Sequence, residues 1–237
     1  LDLANSGPLS RIRADGLTIH ICGVAELDTV KMPPITHVVS ISDVQMESSG
    51  QAQRRIAKVC PGARVIHEFF DDVATQRKGA PSEAAVRRIL AFTSALGEGN
   101  NLLVHCNLGI SRSTAIAYAV ACQHSPPGQE SACYQAVGQA RPVASPNILI
   151  IRFVDKILGR RGLMVRPVYT SQPGWTNLPE RCGICGGQVD EDTVFYGVNR
   201  DPGLTVCEAC FPSLGVCTGY GRCYLLPDGL RDWWLEQ

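Results

Sequence analysis

The chain has 237 residues, enough for one large domain or for one medium and one small domain. Hydrophobic residues make up 45% and charged residues 19%, a composition that can bury a core and excludes a wholly disordered chain. Lys plus Arg and Asp plus Glu both number 22, and this zero formal charge gives no support to non-specific attraction to a nucleic-acid backbone.

The longest apolar stretches, such as 115–122, fall far short of the ~20 residues that a bilayer-spanning helix needs, so no membrane partner is expected. Residues 1–6 have neither a basic flank nor a long apolar run, and no secretory signal is expected there. Of the 11 cysteines, five are scattered through the first 170 residues and six crowd into 182–223. This asymmetry suits isolated thiols followed by a metal site in a reducing compartment, with the cytoplasm as the expected location.

The first 160 residues alternate two periods. Runs at 17–22, 38–41 and 64–70 are short and β-rich, the last ending at Asp71-Asp72. Ser82 caps a helix in which Glu83 suits the positive end, and Val86, Ile89, Leu90 and Leu96 recur at helical spacing. A buried strand over 101–105 runs straight into Cys106, and helices are predicted at 112–123, 130–140 and 147–158. Strands alternating with helices predict an α/β fold with a central, mostly parallel sheet flanked by helices, and we assign it residues 1–162. From about Gly159 to Arg181 the pattern dissolves into Arg, Gly and Pro without apolar periodicity, and residues 163–180 are expected to be a linker. Residues 181–237 are expected to form a small β-rich domain that needs a staple to fold.

The segment Val104-His105-Cys106-Asn107-Leu108-Gly109-Ile110-Ser111-Arg112-Ser113-Thr114 carries the most chemical information. A strand delivers Cys106 to a loop, Gly109 permits a tight turn, and a helix begins near Arg112. Successive backbone N–H groups of such a loop, with the positive helix end, cradle a dianionic phosphate. The same field favours a thiolate, which is the nucleophilic form of cysteine. The planar guanidinium of Arg112 can grip two phosphoryl oxygens at once, which Lys cannot. Ser113 is placed to donate to the sulfur and help it leave, while His105 is expected to orient the loop by hydrogen bonds. Asn107, Leu108, Gly109, Ile110 and Ser111 are the expected substrate-binding positions between Cys106 and Arg112.

These residues resemble the His-Cys-x5-Arg-Ser/Thr signature of the cysteine-dependent protein tyrosine phosphatase superfamily. Gly109-Ile110-Ser111-Arg112-Ser113, followed by Ala117-Tyr118-Ala119, is similar to the dual-specificity branch, and the arrangement is also similar to that of small bacterial members. Arg141-Pro142 and Ser145-Pro146-Asn147 resemble the segment that opens the family's final helix. The resemblance implies a dual-specificity-phosphatase-like fold and hydrolysis of phosphomonoesters through a phosphocysteine, without a cofactor for catalysis. It implies a phosphoprotein carrying phosphotyrosine, and also phosphoserine or phosphothreonine, as substrate. It further implies a general acid, an Asp on a loop just after a strand. Asp72 lies 34 residues before Cys106, and Asp71 fits equally by spacing. Asp72-Val73 matches the family pattern better, which favours Asp72.

The same loop serves phosphatases of RNA 5′ ends, phosphoinositides and phosphosugars, although the absence of Lys at 107, 108 and 110 disfavours highly charged lipids. A reading from a different class is a non-catalytic phosphate-binding module. A reader need not keep its nucleophile, and the intact Cys106, Arg112 and Ser113 argue against it. His20, His37, His67 and His124 are expected to be structural, and Cys22, Cys60, Cys122 and Cys133 to be small core residues.

In the C-terminal segment, Cys182 with Cys185 and Cys207 with Cys210 form two CxxC turns separated by 21 residues. Each turn presents two thiolates, and together they would close one tetrahedral, structural zinc site. This resembles a zinc ribbon, which implies a docking surface for a protein or a nucleic acid. Cys217 and Cys223 fit no familiar ligand spacing.

Overall fold

The computed structural model describes residues 9–29, 31–170, 217–218 and 222–223. The chain divides into two compact units, Leu1–Leu158 and Gly159–Gln237.

In the first unit five strands form one sheet: β1 (Ser10–Ala14), β2 (Leu17–Gly23), β3 (His37–Ser42), β4 (Arg64–Phe69) and β5 (Asn101–Cys106). Their order is β1-β2-β5-β3-β4. β1 pairs antiparallel with β2, and the other neighbours are parallel. The expected mostly parallel sheet is therefore present, with an antiparallel edge strand added. That edge strand forms because Arg11 and Arg13 alternate with buried Ile12 and Ala14, and because Asp15 and Gly16 both take positive φ, 45° and 76°. Asp-Gly is the pair that a tight hairpin of this hand prefers.

Parallel strands must be joined by crossovers, and here these are helical. α1 (Gln51–Val59) lies between β3 and β4, and α2 (Glu83–Thr93) lies between β4 and β5. α3 (Arg112–Gln123), α4 (Glu130–Ala140) and α5 (Ile148–Leu158) follow β5. Ser82 caps α2 as expected, its hydroxyl accepting from the Ala85 amide at 3.2 Å. α3 is buried from Arg112 through Cys122 and packs against β2, β5, α4 and α5. A helix apolar on every side belongs in the middle of a core, which is why its sequence shows no polar face. On one side of the sheet Val38 and Leu103 join Leu27, Cys60 and the single buried residue of α1, Ile56. Cys22, Cys60, Cys122 and Cys133 are buried, in keeping with core roles.

In the second unit the segment expected to begin as a linker instead holds a helix, α6 (Val165–Thr170). Val165 and Val168, three apart on one face, are both buried with Met164. The helix is too short to show apolar periodicity in the sequence. Further on, Cys217–Thr218 pairs antiparallel with Arg222–Cys223, placing Cys217 and Cys223 at opposed register positions. Cys182, Cys185, Cys207 and Cys210 lie outside the described residues. Among the described residues no cluster of three or more His, Cys, Asp or Glu side chains could hold a metal ion. No described helix is long and apolar enough to cross a membrane.

Candidate active site

β5 lies between β2 and β3, and the loop at its C-terminal end occupies the position where open α/β sheets bind ligands. The loop runs from Cys106 to the first turn of α3. Its outer face is packed backbone to backbone on the end of β2. A Cβ on Gly109 would overlap the Gly23 amide nitrogen and would come within 2.6 Å of the Cys22 carbonyl carbon. Gly109 also takes φ 71°. Both facts demand glycine here.

From Asn107 to Ser111 every backbone carbonyl has a donor on it. Asn107 O accepts from the Val24 amide at 2.9 Å, and Gly109 O from Arg141 Nε at 3.0 Å. Leu108 O lies 3.4 Å from Arg141 Nη2. Ile110 O accepts from the Ser145 amide at 2.9 Å, and Ser111 O from the Ala115 amide at 2.9 Å. In a trans peptide the N–H points opposite to the C=O, so a row of carbonyls held outside leaves the amides facing the enclosed space. One of them is seen doing so: the Gly109 amide donates to Cys106 Sγ at 3.3 Å. Ser113 Oγ lies 3.2 Å from the same sulfur, and Cys106 and Ser113 are both buried.

Arg112 is 3% exposed. Its Nη1 donates to the Phe70 carbonyl at 2.7 Å and pairs with Asp43 Oδ1 at 2.7 Å. Its Nε is buried with no partner. A buried donor left unsatisfied costs about 1–3 kcal/mol, and a ligand oxygen would satisfy it. His105 Nε2 meets Ser40 Oγ at 2.9 Å, tying β5 to β3 where the two residues are register partners. Burial lowers the His105 pKa to about 4, so the ring is neutral at ordinary pH.

The two candidate acids go different ways. Asp71 turns to the segment after β3: its Oδ1 accepts from the Val44 amide at 3.2 Å, and its amide donates to Gly79 O at 2.7 Å. Asp72 reaches the loop, and its Oδ1 accepts from Ser111 Oγ at 2.7 Å and from Asn147 Nδ2 at 2.8 Å. Asn147 is doubly used. Its Oδ1 caps α5 by accepting from the Leu149 and Ile150 amides, while its Nδ2 also donates to Val73 O at 3.1 Å.

Cys106, Asn107, Leu108, Gly109, Ile110, Ser111, Arg112, Ser113, His105 and Asp72 thus gather at one end of the sheet. Asp43, Ser40, Glu26 and the side-chain contacts of Arg141 and Asn147 escape sequence reading, because chain folding rather than spacing brings them in. The remaining histidines sit on the frame. His37 Nδ1 meets Thr36 Oγ1, His124 Nε2 meets Thr93 O, and burial lowers the pKa values of His20 and His67.

No family model and no curated protein matches the chain. Among solved structures it is similar to human DUSP28, at 21% identity and a TM-score of 0.44 over 65% of this chain and 95% of that one. It is also similar to the phosphatase domain of Yvh1 from Chaetomium thermophilum, at 21% identity and a TM-score of 0.43 over 68% and 99% of the two chains.

Proposed function

We propose that this protein hydrolyses phosphate monoesters through a phosphocysteine formed on Cys106. The observation that supports this most is Arg112, a buried guanidinium with an unpartnered Nε at the end of an amide-lined loop that begins at a buried cysteine. In the first step Cys106 Sγ attacks phosphorus and the bond from phosphorus to the ester oxygen breaks. The loop amides and Arg112 hold the equatorial oxygens, and Asp72, through Oδ2, protonates the departing oxygen. In the second step Asp72, now a carboxylate, takes a proton from water as that water attacks phosphorus. The S–P bond breaks, Ser113 donates to the departing sulfur, and inorganic phosphate leaves. The chemistry calls for no cofactor.

Within this reading the substrate is a phosphoprotein and the activity that of a protein tyrosine or dual-specificity phosphatase. Leu108, 66% exposed on the loop, offers apolar rather than basic surface. This favours an aryl phosphate over a polyanionic lipid or an RNA end. The test is turnover of p-nitrophenyl phosphate and of phosphotyrosine and phosphoserine peptides, with orthovanadate as inhibitor. Vanadate-sensitive turnover with phosphotyrosine preferred is expected. Phosphate binding without turnover would instead mark a phosphate-reading module. For the second unit we keep the paired CxxC turns at Cys182, Cys185, Cys207 and Cys210 as a structural zinc site. About one zinc per chain in protein purified without chelators is the expected result.

A further inference from the structure

Two residues outside the signature hold the outer face of the phosphate loop. Arg141, the residue that ends α4, bonds Gly109 O through Nε and reaches Leu108 O through Nη2. The remaining edge of its guanidinium lies against Glu26, with Nη1 to Oε1 at 2.7 Å and Nη2 to Oε2 at 2.8 Å. Glu26 in turn accepts from the Gly23 amide at 2.6 Å, which anchors the pair to the end of β2. Burial raises the cost of charge on Glu26, yet Arg141 and the Gly23 amide more than offset it and hold its pKa below the usual carboxylate value. The hydrogen bonds that Arg141 donates to Glu26, with the carboxylate's charge, raise the pKa of Arg141. The pair is therefore charged on both sides across the working pH range.

The two carbonyls bound by Arg141 belong to particular peptide planes. Leu108 O shares its plane with the Gly109 N–H, the amide that donates to Cys106 Sγ. Gly109 O shares its plane with the Ile110 N–H. Because each plane is rigid, pulling the two oxygens outward aims the two hydrogens inward. We propose that Arg141 and Glu26 form a positioning pair that aims the Gly109 and Ile110 amides at the phosphoryl oxygens and thereby sets the oxyanion affinity of the loop. Three of the four contacts need the planar fork: a lysine at 141 cannot meet Gly109 O and both oxygens of Glu26 together. Glu26 fixes the fork, so the two residues act as a unit.

This rests on the loop being a phosphoryl site, and the experiment separates the two claims. In the full-length chain, alkylation of Cys106 by iodoacetamide is followed by mass spectrometry of its peptide at increasing inorganic phosphate. kcat and KM for p-nitrophenyl phosphate are measured alongside. Arg141→Lys and Glu26→Gln should each raise the phosphate concentration for half-protection by ~10-fold, and lower kcat by more than they raise KM. The double variant should be no worse than the single ones. A purely structural pair would lower the melting temperature while the half-protection concentration, read well below melting, stayed at the wild-type value. That result overturns the proposal, as do full retention by Arg141→Lys and additive losses in the double variant. Protection that the variants lose supports the pair even if wild type shows no turnover, an outcome that counts against the hydrolase reading alone. A wild-type Cys106 that phosphate does not protect overturns both.

Discussion

From Asn107 to Ser111 each backbone carbonyl of the loop after β5 is held from outside, by the Val24 amide, by Arg141, by the Ser145 amide or by α3. Residues 72–78, which bring in Asp72 from the other side, are exposed at every position but Val73. That segment is fastened to the site through two side chains, Ser111 and Asn147. The difference matches two jobs. Oxyanion binding gains from donors already aimed, because nothing then has to reorganise as charge develops. A group that gives up a proton and takes one back needs contact with water and with the leaving oxygen. Under the proposed hydrolysis, one half of the site would serve rigidity and the other exchange.

Four experiments press on that contrast. The largest effect should come from the rigid half. Arg112→Lys is expected to lower kcat by ~10³-fold, nearly as much as Arg112→Ala, because two-point geometry and not charge alone carries the transition state. A lysine that kept most of kcat would reduce Arg112 to an electrostatic attractor.

On the exchanging half, Asp72→Asn should lower kcat by ~10²-fold for ordinary aryl phosphates, and less where the leaving group needs no proton. Asp71→Asn should leave kcat within a few-fold of wild type, since its carboxylate faces Val44 and Gly79. The reverse ranking in a side-by-side kinetic assay would move the acid by one residue.

Asn147→Ala should cost less, roughly ten-fold in kcat, by releasing Asp72 and Val73 and uncapping α5. The uncapping alone is worth ~1 kcal/mol of stability. A variant that lost the stability and kept kcat would show that the exposed segment needs no tether.

The last effect is on stability rather than on rate and lies in the rigid half. His105 is held neutral down to about 4, whereas the unfolded chain takes up a proton below the ordinary 6.5. Its contribution is therefore whole above about pH 6.5 and is lost as the pH falls toward 4, on the order of 3 kcal/mol in all. Burial of His20, His37 and His67 acts with the same sign. Urea midpoints that stay level between pH 7.5 and pH 5 would contradict this.

The periods of 2 and 3.6 made most of the frame legible. β2, β3, β4 and β5 and helices α2 to α5 lie where alternation, capping and apolar spacing place them. β1 escapes sequence reading because two arginines mask a five-residue edge strand, although Asp15-Gly16 is a usable turn signal. α1 escapes it because nine residues bury only Ile56, too narrow a stripe to register as a period. The same holds for the site. Cys106, Arg112 and Ser113 are readable because strand, loop and helix are contiguous. The Arg141–Glu26 contact spans 115 residues of sequence, and Asp43 meets Arg112 only once β3 has paired beside β5. Motifs report what is local, and the supports of a motif need not be.

The measurement that bears most directly on the whole account is the initial rate of p-nitrophenyl phosphate hydrolysis by Cys106→Ser beside wild type, with folding of both checked by thermal melting. A serine hydroxyl is a poor nucleophile in a cradle built for a thiolate, while the backbone amides remain in place. The account predicts a rate at the uncatalysed background together with retained binding of phosphate or vanadate. Hydrolysis within ten-fold of wild type would mean that Cys106 does not attack phosphorus, and the central claim would be wrong.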